Sequence, residues 1–198
     1  MPKYVYSFRE GNKDMKDLLG GKGANLSEMT SIGLSVPRGF TVTTEACNKY
    51  YRENETISGE VEEEIFKHIS LLEEETGKKF GSLENPLLVS VRSGARASMP
   101  GMMDTILNLG LNDDVTKAIA VSNKRFAYDS YRRFIMMFAD VVKGYPKSQF
   151  ERLLDKIKIE KNAKSDLDLN SEDMFEVAIR FKDLYKLLSG GKEFPQDP

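Results

Sequence analysis

The hydrophobic pattern changes period near residue 111, and that change constrains the fold more than any other feature of the chain. Beyond it, apolar residues recur only at helical spacing. Ala127, Tyr131, Phe134, Phe138 and Val141 fall four and three apart, with Tyr128, Ile135 and Val142 beside them, which puts them on one stripe of a helix. Gly144 and Pro146 stop that helix. Phe150, Leu153, Leu154 and Ile157 mark a second, and the charged stretch from Lys158 to Asp168 reads as a loop. Asn170 or Ser171 caps a last helix carrying Phe175, Ala178, Phe181, Tyr185 and Leu188, closed by Gly190-Gly191. Helices this amphipathic must pack together, so residues 112–198 are predicted to form an all-α domain, a small antiparallel bundle.

Before residue 111, strand and helix signals alternate. Tyr4 to Phe8 reads as a strand with Tyr4, Tyr6 and Phe8 on one face, residues 22–32 as a short helix, and Gly39 to Thr43 as a second strand. Thr44 is the expected N-cap of a helix running to Glu53, because its hydroxyl satisfies an orphan N–H. Ser58 starts another, with Val61, Ile65, Ile69 and Leu72 on one stripe and Gly77 beyond its end. Leu87 to Val91 and Ile106 to Leu109 are short apolar strands. Alternation of this kind predicts an α/β (α+β) domain over residues 1–111 with a small mixed sheet.

Two segments of this first domain carry chemistry. After Val91 come Arg92-Ser93-Gly94-Ala95-Arg96, then Ala97-Ser98-Met99-Pro100-Gly101-Met102-Met103-Asp104-Thr105. Two guanidiniums four residues apart, in a loop of small residues, suit a polyanion, since arginine's planar fork matches phosphate oxygens. Upstream lies Gly20-Gly21-Lys22-Gly23-Ala24-Asn25-Leu26. Its glycines allow close backbone approach, a following helix offers free N–H groups to an anion, and Lys22 adds a mobile charge. This is not a P-loop, because Gly rather than Ser or Thr follows the lysine. Alone, it reads rather as a surface turn before a helix.

Taken together, these segments and Val36-Pro37-Arg38-Gly39-Phe40-Thr41-Val42-Thr43-Thr44 resemble the N-terminal nucleotide-binding region of phosphoenolpyruvate-linked dikinases. The run from Ala97 to Gly110, the segment Arg125 to Phe134 and the ending Glu193-Phe194-Pro195-Gln196-Asp197-Pro198 are similar to the pyruvate, phosphate dikinase family. Phosphoenolpyruvate synthases share the Val-Arg-Ser element but follow it with a more acidic loop. The resemblance implies an ATP-grasp-type subdomain over residues 1–111. It also implies a larger enzyme, with a swivelling phosphohistidine domain and a (β/α)8 barrel that forms a homodimer, so that this chain is a fragment ending at a Pro-flanked linker.

By the same resemblance the ATP-binding residues are Lys22, Arg92, Gly21, Gly23, Arg96, Met103 and Asp104. Magnesium accompanies ATP, with its carboxylate ligands in the continuation and no metal site or complete catalytic set in this chain. The resemblance implies that ATP's β-phosphoryl group passes, as part of a pyrophosphoryl unit, to the carrier histidine of the other domain, leaving AMP. Inorganic phosphate takes the γ-phosphoryl group as pyrophosphate, and the phosphohistidine converts pyruvate to phosphoenolpyruvate. Two alternatives stand beside this reading: a stand-alone nucleotide-binding or interaction module, and a related synthase-like kinase.

Each candidate also has a plain structural reading. Arg92 could form an internal salt bridge, the methionines could fill irregular gaps, and Thr105 is expected to cap a turn. Arg132 and Arg133 read as a solvated or snorkelling helix face. His68, the chain's single histidine, lies in an ordinary amphipathic helix and is structural or surface, and Glu60, Glu62, Glu63 and Glu64 form a solvated face. The lone Cys47 is expected as a buried, inert thiol. With 29 basic against 31 acidic residues, no nucleic-acid partner is implied. No apolar run approaches the roughly 18–20 residues needed to span a bilayer, and the start is too polar for a signal peptide. The expected compartment is the cytoplasm, or the stroma for a mature plastid form.

Overall fold

The computed structural model describes residues 2–93 and 105–198. They are mixed α/β and fall into two compact units, residues 2–77 and residues 78–92 with 105–198. The boundary between Gly77 and Lys78 follows tertiary contact, whereas the division expected at residue 111 follows the change in hydrophobic period. Among the described residues the strands form two separate antiparallel pairs, where the sequence suggested one mixed sheet.

In the first unit β1 (Val5–Ser7) pairs with β2 (Phe40–Val42), with Tyr6 opposite Thr41. Helix α1 (Lys16–Ser31) connects them, and α2 (Thr44–Arg52) and α3 (Gly59–Thr76) follow. The core joins Tyr4, Val5, Ala46 and Val61, with Phe40 and Ile65 against it. Tyr4 and Val5 are both buried and Tyr6 only half-buried, because α3 packs on β1. The cap of α2 is Thr43 rather than Thr44: Thr43 Oγ1 accepts the Ala46 N–H at 3.2 Å, and Thr44 Oγ1 instead donates to the Asp17 carbonyl at 2.6 Å. Gly77 closes α3 in the left-handed conformation, as its position in the sequence suggests.

Two expectations change in this unit, those for Glu64 and Cys47, while His68 takes the structural one of its two expected places. Glu64 is not part of a solvated face, since its Oε2 accepts the backbone N–H groups of Tyr4 and Val5, each at 2.9 Å. A buried N–H on a strand edge must be paired, and α3 supplies the acceptor by facing β1. His68 is buried in the stripe of α3 that faces inward, with Nδ1 2.7 Å from the Glu64 carbonyl and its ring against Phe40. Cys47 is exposed, not buried, because Ala46 occupies the inward position of α2.

In the second unit β3 (Val89–Arg92) and β4 (Thr105–Leu109) form a hairpin, with Val89 opposite Leu109 and Arg92 opposite Thr105. Val91 pairs with Ile106, so β4 holds one residue more than β3 over this stretch, and Asn108 has φ 60 there. That is a β-bulge, with Asn tolerating the left-handed backbone. Leu88, Ile106 and Leu109 pack the hairpin against the core of α4 (Asp113–Val141), α5 (Lys147–Glu160) and α6 (Ser171–Leu188). Helix α4 breaks at Asn123, whose Oδ1 accepts the Phe126 N–H at 3.0 Å and so restarts the helix. Asn170 and Asp173 exchange capping hydrogen bonds at the start of α6.

The charged stretch 158–168 is not a featureless loop. Helix α5 runs through Glu160, and a 3₁₀ turn forms at Asp166–Asp168. That turn covers Arg132, which is only 2 % exposed rather than solvated. Arg132 Nε meets Asp129 Oδ1 and its Nη2 meets Asp166 Oδ2, both at 2.8 Å. Arg125 adds bonds to the Leu169 and Asp166 carbonyls at 2.8 and 2.7 Å, so two guanidiniums hold the turn down. Arg133, next in sequence, stays exposed. The Pro-flanked ending is also docked: Phe194 is buried among Tyr131, Phe134, Phe138 and Tyr185.

Candidate functional site

The first candidate segment is a bend inside a helix. Residues 16–19 make one helical turn, Gly20 leaves it at φ 68 and ψ 164, and the helix resumes at Gly21. The sequence showed a loop before a helix at Lys22 and missed the turn over residues 16–19, because four residues are too short to show a helical period and the glycines after them interrupt it. Only glycine adopts Gly20's backbone without strain. Since the helix restarts here, the N–H groups of Gly21, Lys22 and Gly23 lie in a new first turn, the end of a helix that favours anions.

The residues of that turn have different surroundings. A Cβ on Gly21 would meet nothing within 4 Å among the described residues. A Cβ on Gly23 would lie 2.8 Å from the Thr41 side chain of β2, so Gly23 is required for α1 to sit on the sheet. Lys22 is half-buried and has no side-chain hydrogen bond or ion pair among the described residues.

The second segment is the β3–β4 hairpin. Leu87 is buried, but Ser90, Val91 and Arg92 are exposed, so the outer half of the strand expected to be buried projects into solvent. Arg92 has no ion pair among the described residues. Thr105 is its strand partner rather than a turn cap. Arg96, Met99, Met102, Met103 and Asp104 lie outside the described residues. Lys22 belongs to the first compact unit and Arg92 to the second.

The titratable groups with shifted equilibria lie elsewhere. Burial pushes the Asp113 carboxyl up, but Lys182 and the Tyr131 hydroxyl bonded to it outweigh that and hold it low. Burial raises the Tyr131 phenol above its ordinary range. These groups hold helices together and do not surround a cleft. A groove of about 790 Å³ in the first unit is lined by Pro2, Tyr4, Glu45, Asn48, Tyr51 and Arg52, none of them a predicted ligand. Among the described residues no three His, Cys, Asp or Glu side chains come together as metal ligands do.

Comparison with known proteins bears on both segments. Residues 16–67 and 54–132 match the family described as "Pyruvate phosphate dikinase, AMP/ATP-binding domain". The matched stretch includes the Gly20 bend, Lys22 and the whole hairpin. A pyruvate, phosphate dikinase of Clostridium symbiosum is 58 % identical over all of this chain, which covers 23 % of that protein. Chloroplastic pyruvate, phosphate dikinases of Mesembryanthemum crystallinum and Arabidopsis thaliana are 52 % and 51 % identical over 99 % of the chain and 21 % of their own length. The chain thus spans between a fifth and a quarter of the relatives it matches.

Proposed function

The chain belongs to the pyruvate, phosphate dikinase family, and from that premise we propose that it forms the triphosphate-binding part of an ATP-grasp-type site. In this reading the first-turn N–H groups of Gly21, Lys22 and Gly23 and the Lys22 ammonium hold one part of the triphosphate. Arg92 and Arg96 hold another. Met103 lies against the nucleotide and Asp104 completes its surroundings. The observation that carries the reading is the Gly20 bend, which opens a helix start holding a lysine with no ion pair among the described residues, inside the region matched to an AMP/ATP-binding domain.

In the whole protein the reaction interconverts ATP, phosphate and pyruvate with AMP, pyrophosphate and phosphoenolpyruvate, through a carrier histidine on another domain. The residues of this chain act by position and charge. A phosphoryl group in transfer spreads negative charge over its oxygens, and fixed cations stabilise that charge without reorganising. Lys22 contributes a point charge on a flexible stem and Arg92 a planar fork that takes two oxygens at once. Magnesium bound with ATP would neutralise further phosphate charge. In this reading its ligands come from ATP itself and from carboxylates in the continuation of the enzyme.

The test is Arg92→Ala in the complete enzyme, following AMP formation from ATP. The expected result is a fall of about a hundredfold or more, the usual cost of removing one charge-stabilising donor. Unchanged turnover would overturn the reading.

A further inference from the structure

The chain after α6 returns to the base of the β3–β4 hairpin, 83 and 84 residues away along the sequence from the groups it meets there. Phe194 anchors the return, 2 % exposed, edge-on to the rings of Phe134, Phe138 and Tyr185 at 5.7, 5.5 and 5.2 Å. Two residues on, Gln196 Oε1 accepts the Asp113 N–H at 2.9 Å, and its backbone carbonyl accepts from Asn112 Nδ2 at 2.9 Å. Gln196 Nε2 donates to the Phe194 carbonyl at 3.0 Å, which holds the side chain in that pose. Pro198 lies so close to Gly81, in the segment that leads into β3, that a Cβ there would lie 2.9 Å from Pro198 Cγ.

These contacts have a mechanical consequence. The first N–H groups of a helix have no intrahelical acceptor. In α4, Asn112 satisfies that of Val115 at 2.8 Å, and Gln196 satisfies that of Asp113. The start of α4 is therefore held from both sides, and the strand ending four residues before it is held with it. The linking turn is tight: Leu111 donates to the Asn108 carbonyl at 3.2 Å. Gly110, at φ +108, sits where a Cβ would come within 2.5 Å of the Leu87 carbonyl oxygen. A base clamped in this way transmits its position to the exposed end of the hairpin, where Arg92 pairs with Thr105.

We propose that residues 194–198 are a strap that fixes the β3–β4 hairpin, and that Gln196 is a positioning residue for Arg92. The nucleotide consequence rests on the reading that Arg92 meets the triphosphate. The strap itself does not rest on that reading.

The experiment compares Gln196→Ala with the unaltered chain by amide hydrogen exchange, which reports local opening. The expected result is exchange about tenfold faster at the hydrogen-bonded amides of β3 and β4, with the amides of α5 unchanged. Equal acceleration everywhere, or none, would overturn the strap. Mg-ATP titration of the same two chains and of Arg92→Ala and the double variant completes the test. Gln196→Ala is expected to weaken binding severalfold, and by much less when Arg92 is already absent. A loosened hairpin that binds Mg-ATP as before would overturn the positioning role. Arg92→Ala without effect on binding would instead remove the triphosphate reading and leave the strap as a brace of the hairpin.

Discussion

Arg132 Nη2 lies 2.8 Å from Asp166 Oδ2, across 34 residues of sequence, with the arginine side chain almost wholly buried. The pair joins the middle of α4 to the 3₁₀ turn before α6, and Asp129 completes the arginine's shell. A buried charge is tolerated only when paired, and losing one partner strands the other. Replacing both by apolar residues of matched volume would cost far less than removing Asp166 alone.

Asp166→Ala is accordingly expected to destabilise the helical unit by about 2–3 kcal/mol in urea unfolding, below the cost of a fully buried pair because Asp129 remains. Burial pushes the Asp166 carboxyl up, but Arg132 and Lys158 outweigh it and hold it below the ordinary carboxylate range. A carboxyl lowered in the folded state stabilises above its unfolded value of about 3.9 and loses that contribution as pH falls through the folded value. The unaltered chain should therefore lose stability below about pH 4. The variant should show a shallower acid limb, and an identical limb would remove Asp166 as a contributor.

Glu64 bridges α3 to the first strand through one oxygen and two backbone N–H groups. Glu64→Ala leaves both donors buried without an acceptor and should cost about 2–3 kcal/mol. Glu64→Gln keeps an oxygen there and should cost about half as much. Thermal unfolding of the two variants side by side tests this, and equal losses would show that the contact is not the source.

The two glycines after the bend should respond oppositely. Gly23→Ala forces a methyl into Thr41 and should destabilise by about 1–3 kcal/mol, as overpacking does. Gly21→Ala enters open space at a helical position and should stabilise by about 0.5–1 kcal/mol. If the triphosphate approaches that face, the same Gly21→Ala substitution weakens Mg-ATP binding. A variant that is both more stable and as tight a binder would show that the ligand lies elsewhere.

His68 Nδ1 faces a backbone carbonyl at 2.7 Å. A carbonyl only accepts, so Nδ1 carries the proton in the neutral ring. Nitrogen-15 spectra of the ring are expected to show a protonated Nδ1 and an unprotonated Nε2 at high pH. The opposite pattern would mean that the ring is turned over. Cys47, exposed on α2, should react with a thiol reagent in the native state at the rate of a small free thiol, and protection until unfolding would put it back in the core.

The elements and their order were legible in the residues. The 3.6-residue stripe of α4, the Asn170 cap of α6 and Gly77 after α3 mark these helices locally, because capping and amphipathicity act over a few residues. Both phosphate-suited segments were visible for the same reason: glycines, a lysine and spaced arginines announce their chemistry where they stand. What escaped that reading depends on partners far along the chain. Glu64 looked like one more solvated acid until α3 set it beside Val5, and Arg132 looked like a surface arginine until the turn at Asp166 closed over it. Cys47 turned outward because Ala46 took the inward position on α2, and Phe194 became core only by packing against α4 and α6. Local propensity and hydrophobic period are properties of a short stretch of chain, whereas burial of a charge or an aromatic ring is settled by what packs against it.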